Sequence, residues 1–174
     1  MKRPKIKAIE TRYNGILFRS RLEARWAVFF AAAGIDYEYE PERVALPGGG
    51  TYLPDFRTNG SGYVEVKGTE ENLDKPYLMR AASVLGHLTV LGPVPNCTQG
   101  LPGRAVLLAR TDGPPLLHAS WFDYRPRGAA ASKILKGYGG PWLTVPVQPG
   151  PCTGHCPYDA ARSARFEHGQ SGRV

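Results

Sequence analysis

Thr51-Tyr52-Leu53-Pro54-Asp55-Phe56-Arg57-Thr58-Asn59-Gly60-Ser61-Gly62-Tyr63-Val64-Glu65-Val66-Lys67-Gly68 is the stretch from which the rest of the chain can be read. Two runs rich in β-branched and aromatic residues flank Asn59-Gly60-Ser61-Gly62, whose residue types favour turns. The segment therefore reads as a hairpin of Thr51 to Arg57 with Tyr63 to Lys67. Side chains alternate along a strand, which sends Glu65 and Lys67 to one face and Val64 and Val66 to the other. A hairpin symmetric about Gly60 sets position 55 against position 65, with Cβ atoms about 4.5–5.5 Å apart. Two carboxylates then oppose each other, which is unfavourable unless a divalent cation or a shared proton lies between them. Hard oxygen donors suit Mg²⁺ or Mn²⁺. Lys67, two residues along on the face of Glu65, can orient or deprotonate a metal-bound water, or neutralise charge on an attacked phosphate. The chemistry implied is metal-assisted phosphodiester hydrolysis.

The flanks supply a fold. Leu22, Trp26, Phe29 or Phe30 and Ala33 recur at spacings of three and four, predicting a helix over Ser20 to Ala33 that Gly34 ends. Ile35 to Glu40 alternates apolar and acidic residues as a half-buried strand does, until Pro41. Beyond the hairpin, Leu73, Tyr77, Ala81 and Leu85 return to helical spacing over 73–86, with Pro76 tolerable only in the first turn. A strand at Leu88 to Leu91 follows. The order helix, three strands, helix, strand over residues 20–91 describes an α/β unit with a mixed sheet. Residues 92–157 then hold 11 prolines and 10 glycines, a loop-rich texture in which only Ala105 to Arg110 and Leu116 to Tyr124 look like strands. Asp159 to Glu167 can form a short helix with Arg162 and Arg165 exposed. No internal repeat is found. The organisation expected is a basic arm over 1–12, a core over 13–92, a Pro/Gly-rich extension over 93–157 and a short helix with a tail over 158–174.

Composition narrows the partners. The 174 residues carry 22 Lys+Arg against 15 Asp+Glu, a net charge of +7 that favours a polyanion such as nucleic acid or an anionic membrane surface. The charge is uneven: residues 1–25 are net +6, residues 26–91 net −4 and residues 92–174 net +5. An acidic centre in a basic frame is what a cation site facing a phosphate backbone requires. The longest apolar run, Trp26 to Ala33, falls far short of the roughly 18 residues that span a bilayer. Lys2, Arg3, Lys5 and Lys7 begin like a signal peptide, but Glu10, Arg12 and Asn14 stand where its apolar stretch belongs. With three cysteines (Cys97, Cys152, Cys156) and no need of disulfide staples, the expected setting is reducing and cytoplasmic.

These residues resemble the PD-(D/E)xK nuclease superfamily. Pro54-Asp55 followed by Glu65-Val66-Lys67 matches its signature, and Glu23 matches its common helical acid. FRSRLEARW, YLPDF and VEVKG look like small nucleases of bacteriophage and actinobacterial genomes. They are similar also to transposon end-cutting endonuclease subunits and, more loosely, to archaeal Holliday-junction resolvases. The match covers residues 13–91. It implies a restriction-endonuclease-like core and a divalent-metal-dependent DNA endonuclease of phage or mobile-element type. By that resemblance Asp55 and Glu65 are metal ligands, the Val66 carbonyl is a further ligand, Lys67 is the catalytic lysine, and Glu23 binds the ion directly or through water.

Plainer roles stand beside these. Ser20-Arg21-Leu22-Glu23 is a capping box, in which Glu23 bonds the Ser20 backbone N–H. Asp55 could merely open a turn, and Glu65 with Lys67 could be an exposed ion pair worth about 0–1 kcal/mol. Arg12, Arg19, Arg21 and Arg25, with Lys5 and Lys7 on the arm, are either a solvated face or clamps on backbone phosphates. Cys152, His155 and Cys156 with distant Cys97 offer a poorly spaced Zn²⁺ set, so free thiols are the simpler reading. Tyr37, Tyr39, Trp121 and Tyr124 could stack on bases or pack in the sheet. The alternatives to an enzyme are a non-catalytic nucleic-acid-binding protein on the same fold and a zinc-stabilised interaction module. DNA is the expected partner, RNA and homodimer formation stay open, and no membrane is expected.

Overall fold

The structure is a computed structural model that describes residues 8–59, 62–94 and 157–166, together with the backbone of 103–109 and 120–124. Lys5, Lys7, Cys97, Cys152, His155, Cys156 and the side chains of Trp121 and Tyr124 lie outside the described residues. The chain opens with a hairpin, β1 (Thr11–Tyr13) and β2 (Ile16–Phe18), turned by Asn14-Gly15 with both residues at positive φ. Helix α1 (Arg21–Ala32) follows, its first turn capped by Ser20, whose side chain accepts from the Glu23 N–H at 3.1 Å. Its end is a Schellman turn: Gly34 at φ +66° donates to Ala31 O at 3.1 Å and Ile35 donates to Phe30 O at 2.8 Å.

Strand β3 (Tyr37–Tyr39) leads to a small separate hairpin of β4 (Val44–Ala45) and β5 (Thr51–Tyr52), then to β6 (Phe56–Thr58) and β7 (Gly62–Val66). A short 3-10 turn (Glu70–Asn72) and α2 (Lys75–Leu85) connect β7 to β8 (His87–Leu91). Asp74 caps α2 through the Tyr77 N–H at 3.1 Å, and Pro76 sits in the first turn, where its missing N–H costs nothing. Strands β9 (Gly103–Ala109) and β10 (Ser120–Tyr124) and helix α3 (Pro157–Ser163) complete the described chain. Six strands form one mixed sheet in the order β10-β9-β8-β7-β6-β3, with β7 and β8 parallel across α2 and every other pair antiparallel.

The β6–β7 register pairs Phe56 with Val64, Arg57 with Tyr63 and Thr58 with Gly62, which is symmetry about position 60. One further step sets Asp55 against Glu65. Gly62 is required where it stands, because at φ +66° an added Cβ would lie 2.3 Å from the His87 ring. The run Thr51 to Arg57 is not a single strand, however. It breaks at Leu53-Pro54-Asp55: Tyr52 pairs with Val44 in the small hairpin, and β6 begins only at Phe56. Pro54 has no N–H to give a ladder, so the chain changes sheets there and presents Asp55 at the strand's mouth.

The sheet is covered on both faces. Val64, Val66, Phe56 and Leu91 pack with Trp26, Phe29 and Phe30 of α1 and Tyr158 and Ala161 of α3. The opposite face packs Leu88, Val90 and Tyr63 against Leu78, Ala81 and Ala82 of α2, and Leu46 and Tyr52 join that cluster. Trp26 Nε1 donates to Gly92 O at 2.9 Å, tying α1 to the end of β8. Tyr158 meets Phe29 with ring centroids 4.6 Å apart, so α3 is part of the α1 layer, and its Arg162 and Arg165 are exposed as the sequence suggests. The sheet likewise continues past Leu91, with β9 hydrogen-bonded along β8. None of the described helices is long and apolar enough to cross a membrane.

Candidate active site

A cleft of about 360 Å³ opens where β7 ends, lined by Arg19, Glu23, Asp55, Glu65, Val66 and Lys67, with Arg43, Tyr52 and Tyr77 around them. Strand alternation delivers Glu65. Val64 and Val66 enter the α1 cluster and Tyr63 the α2 cluster, so Glu65 emerges on the α2 side together with Lys67. Asp55 arrives from the break before β6, and Glu23 from the first turn of α1.

Three carboxylates are buried here: Glu23 is 8% exposed, Asp55 3% and Glu65 6%. Burial of ionised acids is unfavourable unless each is bonded, and each is. Asp55 Oδ2 accepts the Val66 N–H at 2.7 Å and Oδ1 accepts Arg19 Nη2 at 2.6 Å. Glu65 Oε2 accepts the Tyr52 hydroxyl at 2.5 Å, and Oε1 takes the Lys67 ammonium. Glu23 accepts the Ser20 hydroxyl on Oε1 and the Tyr39 hydroxyl on Oε2, both at 2.7 Å. Its carboxylate thus faces two hydroxyls, a different contact from the return bond to the Ser20 N–H that a capping box predicts.

The electrostatics follow from this crowding. Burial, then the charges of Glu65 and Glu23, push the Asp55 carboxyl up to about 7, against the pull of the Val66 N–H and Lys67. Burial and the Glu65 carboxylate push the Tyr52 phenol far up, and burial with the Glu23 bond does the same to Tyr39, so both hydroxyls are fixed as donors. Partial burial disfavours the Arg19 charge, but Tyr39, Asp55, Glu40 and Glu23 outweigh it and hold the guanidinium protonated.

Of the residues singled out in the sequence, Arg19, Glu23, Asp55, Glu65, Val66 and Lys67 converge on one cleft. Arg12, Arg21 and Arg25 do not line it: Arg12 is exposed on β1, and Arg21 and Arg25 are half-buried along α1. Tyr37 and Tyr39 pack their rings on Phe56 with centroids 5.6 and 5.4 Å apart, so they belong to the sheet's aromatic layer. Pattern reading misses Arg43, Tyr52, Tyr77 and the second anchor of Arg19, Glu40, whose Oε1 lies 2.6 Å from Arg19 Nε. Unbroken alternation along 51–57 sends Tyr52 to the face opposite Asp55, and only the break at Leu53-Pro54-Asp55 brings its hydroxyl to Glu65.

The donor set fits a hard divalent cation: carboxylate oxygens of Asp55 and Glu65 and a main-chain carbonyl at Val66, in a cleft where crowded negative charge already raises the Asp55 acid. Among the described residues, no three His, Cys, Asp or Glu side chains form a ready-made metal cage. Arg19 and Lys67 hold one oxygen each of Asp55 and Glu65. Comparison with protein-family models, with curated proteins and with solved structures finds no match for this chain.

Proposed function

We propose that this protein is a divalent-metal-dependent endonuclease that hydrolyses phosphodiester bonds of DNA, built on a restriction-endonuclease-like core of the PD-(D/E)xK type. The observation that carries the reading is the meeting of Asp55, Glu65 and Lys67 in one cleft, with two buried acids supplied by adjacent strands and the amine two residues along from the second. Asp55, Glu65 and the Val66 carbonyl would hold Mg²⁺ or Mn²⁺, with Glu23 joining directly or through water. Such an ion, when bound, polarises the phosphoryl oxygen and favours ionisation of an attacking water. Lys67 places its charge beside the attacked phosphate and orients Glu65. Tyr52 keeps Glu65 in position by its hydroxyl, and the Val66 N–H does the same for Asp55. Two copies of the chain would cut both strands of a duplex.

A non-catalytic nucleic-acid-binding protein is the second reading, favoured by the ion pairs of Arg19 and Lys67 that already neutralise Asp55 and Glu65. One experiment separates them. Supercoiled, linear, single-stranded and branched DNA are incubated with Mg²⁺ or Mn²⁺ and the wild type, Asp55→Ala or Lys67→Ala. The nuclease reading requires metal-dependent cleavage that both variants lose. Salt-sensitive binding without cleavage, indifferent to metal and to Asp55→Ala, establishes the other.

A further inference from the structure

We propose that Arg19 is a two-position residue: it neutralises Asp55 while the cleft is free of divalent cation, and clamps the substrate's phosphodiester backbone once a cation takes its place on that acid. This rests on the nuclease reading and adds a regulation of the same site.

The contacts define the first position. The Arg19 guanidinium bridges Asp55 Oδ1 and Glu40 Oε1, at 2.6 Å each, while its backbone N–H donates to the Tyr39 hydroxyl at 2.9 Å. Tyr39 in turn donates to Glu23 Oε2 at 2.7 Å. A single cationic side chain thus stands between the acids of the cleft and the edge strand β3. Its backbone is fixed between β2 and the cap of α1, so only the side chain is free to change partner.

The burial of the two partners is unequal, and that inequality permits the second position. The Asp55 side chain is 5% exposed, whereas that of Arg19 is 53% exposed. The acid is committed to the interior and, whenever it is ionised, needs a counter-charge, since a buried carboxylate without one is costly. The guanidinium sits at the rim and keeps Glu40, 31% exposed, as an anchor when it leaves. A divalent cation on Asp55 supplies more positive charge than Arg19 does, and at contact distance the two cations repel. The displaced guanidinium then offers its planar fork at the mouth of the cleft that Arg43 also lines, the geometry that pairs two-fold with a phosphodiester. Lys67, 28% exposed and bonded to Glu65, stays inside. Metal loading and substrate binding are coupled in this way, because the ion frees the residue that grips the DNA.

The test measures Mn²⁺ binding to the metal-free protein by titration calorimetry, without DNA, and short-duplex binding by fluorescence anisotropy in Ca²⁺. Wild type, Arg19→Ala, Arg19→Gln and Asp55→Asn are compared, with melting curves to confirm that each is folded. The expected result is that Arg19→Gln and Arg19→Ala bind Mn²⁺ at least about threefold more tightly than wild type, yet bind duplex at least about tenfold more weakly in Ca²⁺. Arg19→Gln, which retains a donor for Asp55, keeps the test valid if Arg19→Ala does not fold. Mn²⁺ that binds wild type and is lost in Asp55→Asn, but is not tightened by either Arg19 variant, overturns this inference and leaves the nuclease reading standing. Mn²⁺ binding to none of the proteins overturns both.

Discussion

The two faces of the sheet are built from the same strands and each packs an apolar cluster, but at the end of β7 they do different things. On the α1 side, Phe18, Phe29, Phe30 and Phe56 are wholly buried, and their rings meet one another at centroid separations of 5.3 to 6.1 Å. On the α2 side, at the end of β7, the buried groups are Asp55, Glu65 and the Tyr52 hydroxyl. Strand β7 contributes alternately to both, Val64 and Val66 to the aromatic layer, Tyr63 to the α2 cluster and Glu65 to the cleft at its end. An aromatic layer that cannot be shifted cheaply holds a cluster of charges that would otherwise repel one another apart. Stability and chemistry therefore sit on different residues of the same strands, and substitutions can separate them.

The largest separation is expected from Phe30→Ala, which empties a fully buried ring from the α1 face and should cost about 3–5 kcal/mol in denaturant unfolding. A cost under about 1 kcal/mol would mean that the aromatic layer is not the scaffold described. Lys67→Ala should lower cleavage about 10²–10⁴-fold with a smaller loss of stability than Phe30→Ala, because the Tyr52 hydroxyl still bonds the Glu65 carboxylate that the ammonium leaves behind. Tyr52→Phe removes one charge-assisted hydrogen bond from Glu65, worth about 1.5–3 kcal/mol, and should reduce cleavage without changing the DNA substrates accepted. Unchanged cleavage would show that Glu65 needs no such support.

A graded effect is expected of pH. The folded protein holds a proton on Asp55 more tightly than the unfolded chain, from an ordinary value of 3.8 up to about 7. Native protein then binds more protons than unfolded protein across that window, so this contribution to stability is present below about pH 4 and is lost as pH rises through about 7. Melting measured without divalent ion should reveal the decline, and Asp55→Asn should flatten it. The smallest effect belongs to the exposed Glu38–Arg57 pair on the sheet's edge, 2.5 Å apart, where solvent screens the charges and Arg57→Ala should leave the unfolding midpoint close to that of wild type.

What sequence makes legible follows the same division. Local periodicity gives α1, because Leu22, Trp26 and Phe29 or Phe30 must face one core. Symmetry about position 60 gives the register that opposes Asp55 and Glu65, because a hairpin's turn fixes its pairing. The Asn14-Gly15 hairpin carries a local signal too, in two residue types that take positive φ readily, although its strands are too short to show a periodic pattern. Contacts between distant segments leave no such trace. Arg19 reaches Asp55 across 36 positions, Tyr52 reaches Glu65 across 13, and Tyr158 of α3 seats on Phe29 from beyond the Pro/Gly-rich segment. Their partners are set by how the layers pack, and nothing in the spacing of residues encodes that.

The most direct measurement is the anomalous diffraction of crystals grown with Mn²⁺. The account predicts a peak in the cleft within about 2.0–2.3 Å of carboxylate oxygens of both Asp55 and Glu65. Asp55 and Glu65 still paired with Arg19 and Lys67 at saturating Mn²⁺, with no anomalous peak between them, would contradict it.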